Sequence, residues 1–328
     1  MNHTLYLVIP CYNEEEVLPE TARRLSAKLS ALIESGKISS SSRVVFVDDG
    51  SKDKTWELIT QFHRENPLFS GIGLSRNRGH QNALLAGLVT VKDLADMTIS
   101  VDADLQDDIN AIDEMVEKFL GGVDIVYGVR ARRDTDTWFK RVSAQTYYRF
   151  IGAFGGEVVF NHADYRLLSR RALDALTKYE ESALFLRGIV PMIGFSSDTV
   201  YYDRSHRYAG ESKYPFGKML ALAIDGITSI SIRPLRIITF LGFLLLFSAF
   251  VTGVLFLIQH NMGMTIWGWR FLTFLILLVG GLQLFALGIV GEYAGKTYME
   301  TKRRPRFFVD KVLHKDQASQ DVAQSNQS

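Results

Sequence analysis

The segment Ile99-Ser-Val-Asp-Ala-Asp-Leu-Gln-Asp107 places two carboxylates, Asp102 and Asp104, one residue apart at the end of an apolar, strand-like run. Alternate residues of an extended chain point the same way, so both carboxylates face one point while Ala103 turns away. Hard oxygen ligands with an open face suit Mg²⁺ or Mn²⁺, which take further ligands from substrate phosphates. We therefore expect a metal site at Asp102 and Asp104, with Gln106 adding a neutral oxygen. The alternative is a solvated turn.

Short apolar runs alternate with helical patterns through the N-terminal part of the chain. The runs cover residues 5–9, 43–47, 70–74, 97–101 and 123–127, and the helical patterns cover residues 14–33, 53–65, 79–91 and 110–120. Strict alternation of strand and helix implies right-handed crossovers and a mostly parallel sheet, which is an α/β fold. Ligands bind at the carboxyl ends of such strands. Residues 10–14, 48–51 and 102–107 fall at those ends, so we expect the site there.

The loop after the first strand excludes a dinucleotide site of the Rossmann type. It reads Cys11-Tyr-Asn-Glu14 and lacks a G-x-G-x-x-G motif, and the chain has no G-x-x-x-x-G-K-[ST] loop. Nucleotide recognition is therefore expected to rely on side chains and a metal ion.

Hydropathy is unevenly distributed along the 328 residues. Residues 237–258 carry no charge and would span ~33 Å as a helix, against a hydrocarbon core of ~30 Å. Residues 271–291 repeat this pattern, so we expect two transmembrane helices rather than a pair of buried core helices. Basic residues flank the pair, whereas residues 259–267 contain no Lys or Arg, so the positive-inside rule puts both flanks in the cytoplasm.

Charge and cysteine content narrow the function class. The net charge of +1 excludes a generally basic nucleic-acid binder, and we expect no nucleic-acid partner. A lone cysteine, Cys11, excludes an internal disulfide framework and agrees with a reducing compartment. Residues 314–328 have almost nothing to bury and read as a disordered tail.

The chain resembles glycosyltransferase family 2, which has the GT-A fold, in Val8-Ile-Pro-Cys-Tyr-Asn-Glu14, Val47-Asp-Asp-Gly-Ser51 and Val101-Asp-Ala-Asp-Leu-Gln-Asp107. It is also similar to bacterial polyprenyl-phosphate glycosyltransferases, such as bactoprenol glucosyltransferases, and to dolichol-phosphate mannose synthases. This second similarity lies in Arg130, Ala163-Asp-Tyr-Arg-Leu167, Arg207-Tyr-Ala-Gly-Glu-Ser-Lys-Tyr214, Gly291-Glu-Tyr293 and Lys302-Arg-Arg-Pro305.

Hydropathy, helical spacing and the resemblance together predict four parts of the chain. We expect residues 1–215 to form a cytosolic GT-A domain, residues 216–234 an interfacial amphipathic helix, and residues 235–295 a two-helix transmembrane hairpin. The alternative for the interfacial helix is packing in a protein core. Residues 296–328 form a cytosolic basic segment that ends in the disordered tail.

The resemblance also implies a nucleotide-sugar site. Its expected residues are Pro10, Tyr12, Asn13, Glu14, Asp49, Asn77, Gln81 and Asp102, with Asp49 bonding the base or ribose. Simpler structural roles compete with several of these assignments. Asn13 suits a cap on the first helix, residues 48–51 suit a turn that starts the second, and Asn77 suits a plain turn.

For catalysis the resemblance implies Asp164, Asp104 and Arg130. Asp164 matches the position proposed as base in relatives; the alternative is that it pairs with Arg166 or orients another cation. The expected ligands of the acceptor phosphate are Arg130, Arg141, Arg207, Ser212 and Lys213, because guanidinium groups bind phosphate oxygens in pairs. The alternative for these residues is a solvated face or an ordered surface loop.

The implied reaction is inverting transfer of a hexose, glucose as first choice, from a UDP-sugar to undecaprenyl phosphate for cell-envelope glycosylation. The implied cofactor is Mg²⁺ or Mn²⁺. The enzyme is expected in the bacterial inner membrane as a multi-pass homo-oligomer, with a tetramer suggested by relatives, and with its catalytic domain and both termini cytoplasmic. N-acetylglucosamine or another sugar, a processive polysaccharide synthase and an inactive sugar-nucleotide sensor or scaffold stay open; the missing Gln-x-x-Arg-Trp element disfavours the synthase.

Overall fold

The computed structural model describes residues 2–131, 162–181, 186–203, 233–262 and 269–314. Its strands are β1 (Leu5–Cys11), β2 (Arg43–Asp48), β3 (Phe69–Leu74), β4 (Met97–Ser100), β5 (Ile125–Arg130), β6 (His162–Ser169), β7 (Ser197–Tyr202) and β8 (Val309–Leu313). Its helices are α1 (Leu18–Glu34), α2 (Thr55–Glu65), α3 (His80–Val91), α4 (Ala111–Leu120), α5 (Arg170–Leu176), α6 (Leu186–Met192), α7 (Arg233–Asn261) and α8 (Trp269–Thr301).

The chain divides into two compact units. The first consists of Met1–Tyr148, Glu157–Tyr214 and Pro305–Ser328, and the second of Arg149–Gly156 and Pro215–Arg304. The first unit contains the whole sheet, and the second contains α7 and α8.

The strands of the described ranges form one sheet in the order β7-β5-β6-β4-β1-β2-β3-β8. β1 pairs in parallel with β2 and β4, and β2 pairs in parallel with β3. β6 runs antiparallel between β4 and β5, and β8 runs antiparallel on the edge of β3. The prediction of a mostly parallel α/β sheet is therefore confirmed.

Helices cover both faces of the sheet because the central strands are apolar on both sides. Leu5 and Leu7 of β1 contact one buried cluster, which includes residues of α1, α2 and α4. Tyr6 and Val8 contact the other cluster, which includes residues of α3, α5 and α6. Near-continuous hydrophobic strands of this kind are typical of parallel sheets buried on both faces.

The first helix begins at Leu18, four residues later than expected. Asn13 has a φ of +54°, and its backbone N–H donates to Ser51 Oγ at 3.0 Å. The backbone N–H of Glu14 donates to Thr55 Oγ1 at 2.9 Å. These bonds hold residues 13 and 14 against Ser51 and against Thr55, the first residue of α2, and the positive φ of Asn13 is incompatible with a right-handed helix there. Asn13 therefore does not cap α1.

Strands β6, β7 and β8 were not predicted. β6 carries Asp164 and Arg166, and both side chains are buried. A short segment with several charged residues is typical of a loop, so sequence patterns do not predict a buried strand there. Charged side chains occur in a buried strand only when they are paired. β8 lies inside the segment expected to be a basic extension, and it follows α8 by only a few residues.

The second unit contains two long apolar helices. α7 includes residues 237–258 and α8 includes residues 271–291, the two segments predicted to cross the membrane. By length and composition, one stretch of the described helices, Leu278–Thr301, is sufficient to cross a bilayer. Two transmembrane helices therefore remain a prediction. Residues 216–232 of the expected interfacial helix lie outside the described residues. Residues 315–328 of the expected tail also lie outside them.

Candidate active site

The loops that follow β1, β2 and β3 are joined by side-chain hydrogen bonds. Asn13 Oδ1 accepts from the backbone N–H of Lys52 at 2.9 Å. The buried carboxylate of Asp49 accepts from the backbone N–H groups of Arg78 at 2.7 Å and Gly79 at 2.8 Å. Asp49 therefore shapes the loop before α3, whatever else it binds.

The remaining residues predicted for the nucleotide sugar lie at the same edge of the sheet. Pro10 is buried at the end of β1, whereas Tyr12 is exposed and Glu14 is half-buried just after it. Asn77 Oδ1 accepts from the backbone N–H of Gly79, and Gln81 Oε1 accepts from that of Leu186 at 3.2 Å. The bond of Asn77 is that of a plain turn, one of the alternatives considered above.

Gly50 lets the loop after β2 approach the loop after β3. Its φ is +69°, and a Cβ would lie 2.8 Å from backbone atoms of Arg76 and Asn77. We expect Gly50→Ala to lower the free energy of unfolding by about 2–4 kcal/mol, because a left-handed conformation and a steric overlap add up.

Gly36→Ala is the matched control, because Gly36 has a φ of +70° and nothing within 4 Å of its added Cβ. Gly36→Ala should lower the free energy of unfolding by only about 1–2 kcal/mol, the cost of a left-handed backbone conformation for a residue with a Cβ. Thermal denaturation of both variants measures the difference, and equal losses would contradict the close approach at Gly50.

Four carboxylates, hereafter the carboxylate cluster, lie at the carboxyl end of β4: Asp102, Asp104, Asp107 and Asp164. Asp102 and Asp104 are partly exposed, whereas Ala103 and Leu105 are buried. β4 ends at Ser100 and Leu105 has a φ of +56°, so these residues lie in a turn and not in the extended segment from which a shared direction was predicted. Gln106 is buried, and its backbone N–H donates to Asp104 Oδ1 at 3.2 Å.

Burial raises the pKa of Asp102 to about 6; His80 lowers it, whereas Asp107, Asp164 and Asp104 raise it further. His80 Nε2 lies 3.5 Å from an Asp102 oxygen and 3.9 Å from an Asp164 oxygen. The cluster therefore concentrates negative charge, which favours a cation there.

The described part of the chain contains no group of three or more His, Cys, Asp or Glu side chains arranged to hold a metal ion. The predicted ligand set has only two carboxylates, Asp102 and Asp104, with the amide of Gln106 as its third member. This donor set fits a hard divalent cation that takes its other ligands from a substrate, because Mg²⁺ commonly uses one or two carboxylates plus phosphates.

Asp164 is buried at the start of β6 and holds two arginines. Arg166 Nη2 donates to its Oδ1 at 2.6 Å, and Arg187 donates through Nε and Nη2 to both carboxylate oxygens at 3.2 and 3.0 Å. Burial acts to raise the pKa of Asp164, but Arg187 and Arg166 outweigh it and hold that pKa well below its usual range. The pairing with Arg166 considered in the sequence is present.

Arg130 ends β5 beside Tyr202, the last residue of β7. Its Nη2 lies 3.7 Å from Asp107 Oδ1, and its Nε lies 3.5 Å from the hydroxyl of Tyr202. The Tyr202 hydroxyl donates to Asp107 Oδ1 at 2.6 Å. Burial and the charge of Asp107 raise the pKa of Tyr202 well above its usual range, so it stays a neutral donor.

Four predicted ligands of the acceptor phosphate lie outside the described residues: Arg141, Arg207, Ser212 and Lys213. Sequence analysis missed His80, Arg187 and Tyr202. His80 lies between Asn77 and Gln81, both of which were predicted, so the same loop could have indicated it. Arg187 and Tyr202 had no local signal, because 23 and 95 residues separate them from Asp164 and Asp107.

Comparison with known proteins places the chain in a family. The model of glycosyl transferase family 2 matches residues 6–177. An uncharacterized glycosyltransferase of Bacillus subtilis (strain 168), YkoT, is 49% identical over 96% of this chain and 94% of the relative. A prophage bactoprenol glucosyl transferase homolog of Escherichia coli (strain K12) is 36% identical over 93% of this chain and 98% of the relative.

Solved structures are more distant. The crystal structure of glucosyl-3-phosphoglycerate synthase from Mycobacterium tuberculosis, in complex with Mn²⁺, UDP-glucose and phosphoglyceric acid, is 18% identical with a TM-score of 0.43, over 67% of this chain and 76% of that chain. Similarity at this level transfers neither ligand nor mechanism. The family match and the two relatives are sufficient by themselves: this chain belongs to glycosyltransferase family 2.

Proposed function

We propose that this protein transfers a hexose, glucose as first choice, from a UDP-sugar to undecaprenyl phosphate, with inversion at the anomeric carbon and release of UDP. The observation that carries the proposal is the carboxylate cluster beside Arg130 at the carboxyl edge of the sheet. It occurs in a chain that is 36% identical, over 93% of its length, to a protein named as a bactoprenol glucosyl transferase homolog.

Asp102 and Asp104 would hold Mg²⁺ or Mn²⁺, with Gln106 as a third ligand. The raised pKa of Asp102 supports this role, because a cation would relieve the repulsion among the four carboxylates. When bound, the ion would supply positive charge that stabilises the departing diphosphate. Pro10, Tyr12, Asn13, Glu14 and Asp49 would surround the nucleoside, with Asn77 and Gln81 at the rim.

The acceptor phosphate attacks the anomeric carbon of the sugar. A bond forms between that carbon and a phosphate oxygen, the bond from the carbon to the UDP oxygen breaks, and its electron pair leaves with UDP. The nucleophile is already anionic at neutral pH, so placement and charge supply most of the rate and a strong base is not required. Arg130 binds the acceptor phosphate in this proposal, and Arg141, Arg207, Ser212 and Lys213 remain its predicted partners. Asp164 remains a predicted residue of the site, in one of the two roles considered in the sequence: the base, or the group that orients a cation.

The exposed side chains and the chain connectivity support the proposal of a membrane location with two spans. Large apolar side chains are exposed on both helices of the second unit: Phe243, Phe247 and Phe250 on α7, and Leu284, Phe285 and Leu287 on α8. Exposed surface of this extent is typical of a lipid contact. β8 follows α8 yet pairs with β3 in the sheet that precedes α7. If the chain crossed the membrane only once between β3 and β8, these two paired strands would lie on opposite sides of the membrane. The proposal therefore requires an even number of spans.

The test is a panel of labelled nucleotide sugars, incubated with membranes that contain the protein, undecaprenyl phosphate and Mg²⁺ or Mn²⁺. We expect label from UDP-glucose in the organic extract as a single-sugar lipid. Label only from UDP-N-acetylglucosamine would change the sugar, and a polymeric product would indicate a processive synthase. Binding of UDP-sugars without any turnover would refute the enzymatic proposal and favour the sensor.

Metal affinity should depend on pH through Asp102. Protonation competes with the cation once the pH falls below the pKa of about 6. We expect Mn²⁺ affinity, measured by calorimetry in detergent, to weaken by up to tenfold per pH unit below about pH 6. Asp102→Asn should bind weakly without this dependence, and a flat profile for the unmodified chain between about pH 5 and 7.5 would contradict the assignment.

The raised pKa of Asp102 also makes folding stability depend on pH, but here low pH is favourable, whereas for metal binding it is unfavourable. In the metal-free protein, the folded state binds a proton at Asp102 more tightly than the unfolded chain does. In the unfolded chain the pKa of Asp102 is near its ordinary value of 3.8. The contribution of Asp102 to stability is therefore fully present below pH 3.8 and is lost as the pH rises through about 6.

A further inference from the structure

We propose that Arg187 is a phosphate ligand of this active site and that Asp164 holds it in position. The inference rests on the proposed function, since it names a protein group that contacts the phosphate of a substrate. Arg187 was not among the residues predicted from the sequence.

Asp164 is paired with more positive charge than it needs. One arginine is sufficient to neutralise Asp164, and Arg166, whose side chain is 1% exposed, does so from inside the protein at 2.6 Å. Arg187 is a second arginine on the same carboxylate, and its side chain is 38% exposed. Asp164 is thus a carboxylate of the cluster that is paired with two arginines, and the solvent-facing arginine of the two is Arg187. Its charge lies beside the carboxylate cluster, where a cationic group is needed to bring a phosphate close.

The backbone next to Arg187 is held in place before any ligand binds. Leu186, the residue before Arg187, is buried, and its backbone is held from two sides. Its N–H donates to Gln81 Oε1 at 3.2 Å, and its carbonyl accepts from Arg166 Nη1 at 3.1 Å. α3 and β6 thus fix the start of α6 and direct Arg187 onto Asp164. A side chain held in this way loses little entropy when it binds a ligand.

The guanidinium group of Arg187 has the geometry to bind two anions at once. Arg187 contacts both oxygens of Asp164 through Nε and Nη2, which is the side-on arrangement of a bidentate pair. A guanidinium has five N–H donors in a rigid plane, so it can hold a carboxylate along one edge and a phosphate along another. The carboxylate fixes the plane of the group, which a lysine in the same place would not provide.

The experiment compares Arg187→Met, Arg187→Lys and the control Arg171→Met in the full-length protein in detergent. Arg171 is a surface arginine that stacks on Phe195 and pairs with Asp124, away from the carboxylate cluster. Steady-state kinetics give kcat and KM for undecaprenyl phosphate and for the UDP-sugar separately. Calorimetry of UDP and of undecaprenyl phosphate measures binding without requiring turnover.

We expect Arg187→Met to weaken one of the two phosphate-bearing substrates by roughly 10- to 100-fold, the size of a charge-assisted hydrogen bond. Arg187→Lys should recover only part of this loss, and Arg171→Met should show none. A loss confined to undecaprenyl phosphate assigns Arg187 to the acceptor, and a loss confined to UDP and UDP-sugar assigns it to the donor. Retention of both affinities within threefold by Arg187→Met would overturn the inference.

The role of Asp164 is tested by a double-mutant cycle. If Asp164 positions Arg187, Asp164→Asn should weaken the same substrate, and the double variant Asp164→Asn/Arg187→Met should lose little more than either single variant. A base would behave differently: Asp164→Asn would lower kcat at unchanged KM, and the two losses would multiply, which would overturn the positioning role. Absence of turnover by the unmodified protein would refute the proposed function, while the binding measurements would still decide the inference.

Discussion

Replacing Asp104 with Asn is expected to reduce kcat/KM for sugar transfer by at least ~10²–10³-fold, the size of effect that follows loss of a charged group at a developing charge. Asp104 is partly exposed in the loop after β4, and its Oδ1 accepts from the backbone N–H of Gln106 at 3.2 Å. The change removes one of only two carboxylates in the predicted ligand set while keeping the shape of the side chain.

The loss should be one of chemistry and not of folding. Asn removes a charge from a crowded carboxylate cluster, so thermal stability should be unchanged or slightly higher. Asp174→Asn is the matched control, because Asp174 is an exposed carboxylate on α5 that pairs with Lys92. The measurement is the rate at which each variant consumes UDP-sugar, and Asp174→Asn should keep the rate of the unmodified protein. Normal turnover by Asp104→Asn would remove the central support for a metal-assisted transfer.

Arg166→Met is expected to lower the free energy of unfolding by about 3–5 kcal/mol, the cost of breaking a buried ion pair by removing one partner. Arg166 is one of the largest fully buried side chains of the described residues. Its guanidinium bonds Asp164 and the carbonyl of Leu186, so the change leaves a buried carboxylate with one arginine and a buried carbonyl without its donor.

Thermal or urea denaturation in detergent measures this loss, with Arg171→Met as the surface control. The double variant Asp164→Asn/Arg166→Met should be more stable than the sum of the two single losses predicts, because the uncompensated charge has gone. A loss below about 1 kcal/mol for Arg166→Met would show that solvent reaches Asp164 and that the pair is not buried in solution.

Local periodicity explains why part of the fold was predictable. The five strands expected from apolar runs all occur, with ends shifted by at most three residues, because a strand buried on both faces is apolar throughout. The start of α1 was wrong by four residues because Ser51 and Thr55, which lie far along the chain, bond the backbone of residues 13 and 14. No pattern within one segment contains that information.

The sequence by itself determined that Asp102 and Asp104 lie together at the carboxyl edge of a parallel sheet. The order of strand and helix is a local property, and it is sufficient to place the loop after β4 at that edge. Strand alternation did not decide their direction, because β4 ends at Ser100 and both residues lie in the turn that follows. Only the tertiary structure decided the partners of Asp164, the presence of Arg187 and His80 beside it, and the return of β8 to the edge of β3. These contacts join residues far apart in the chain, and their free energy comes from burial and charge pairing in the folded state, which no sequence spacing records.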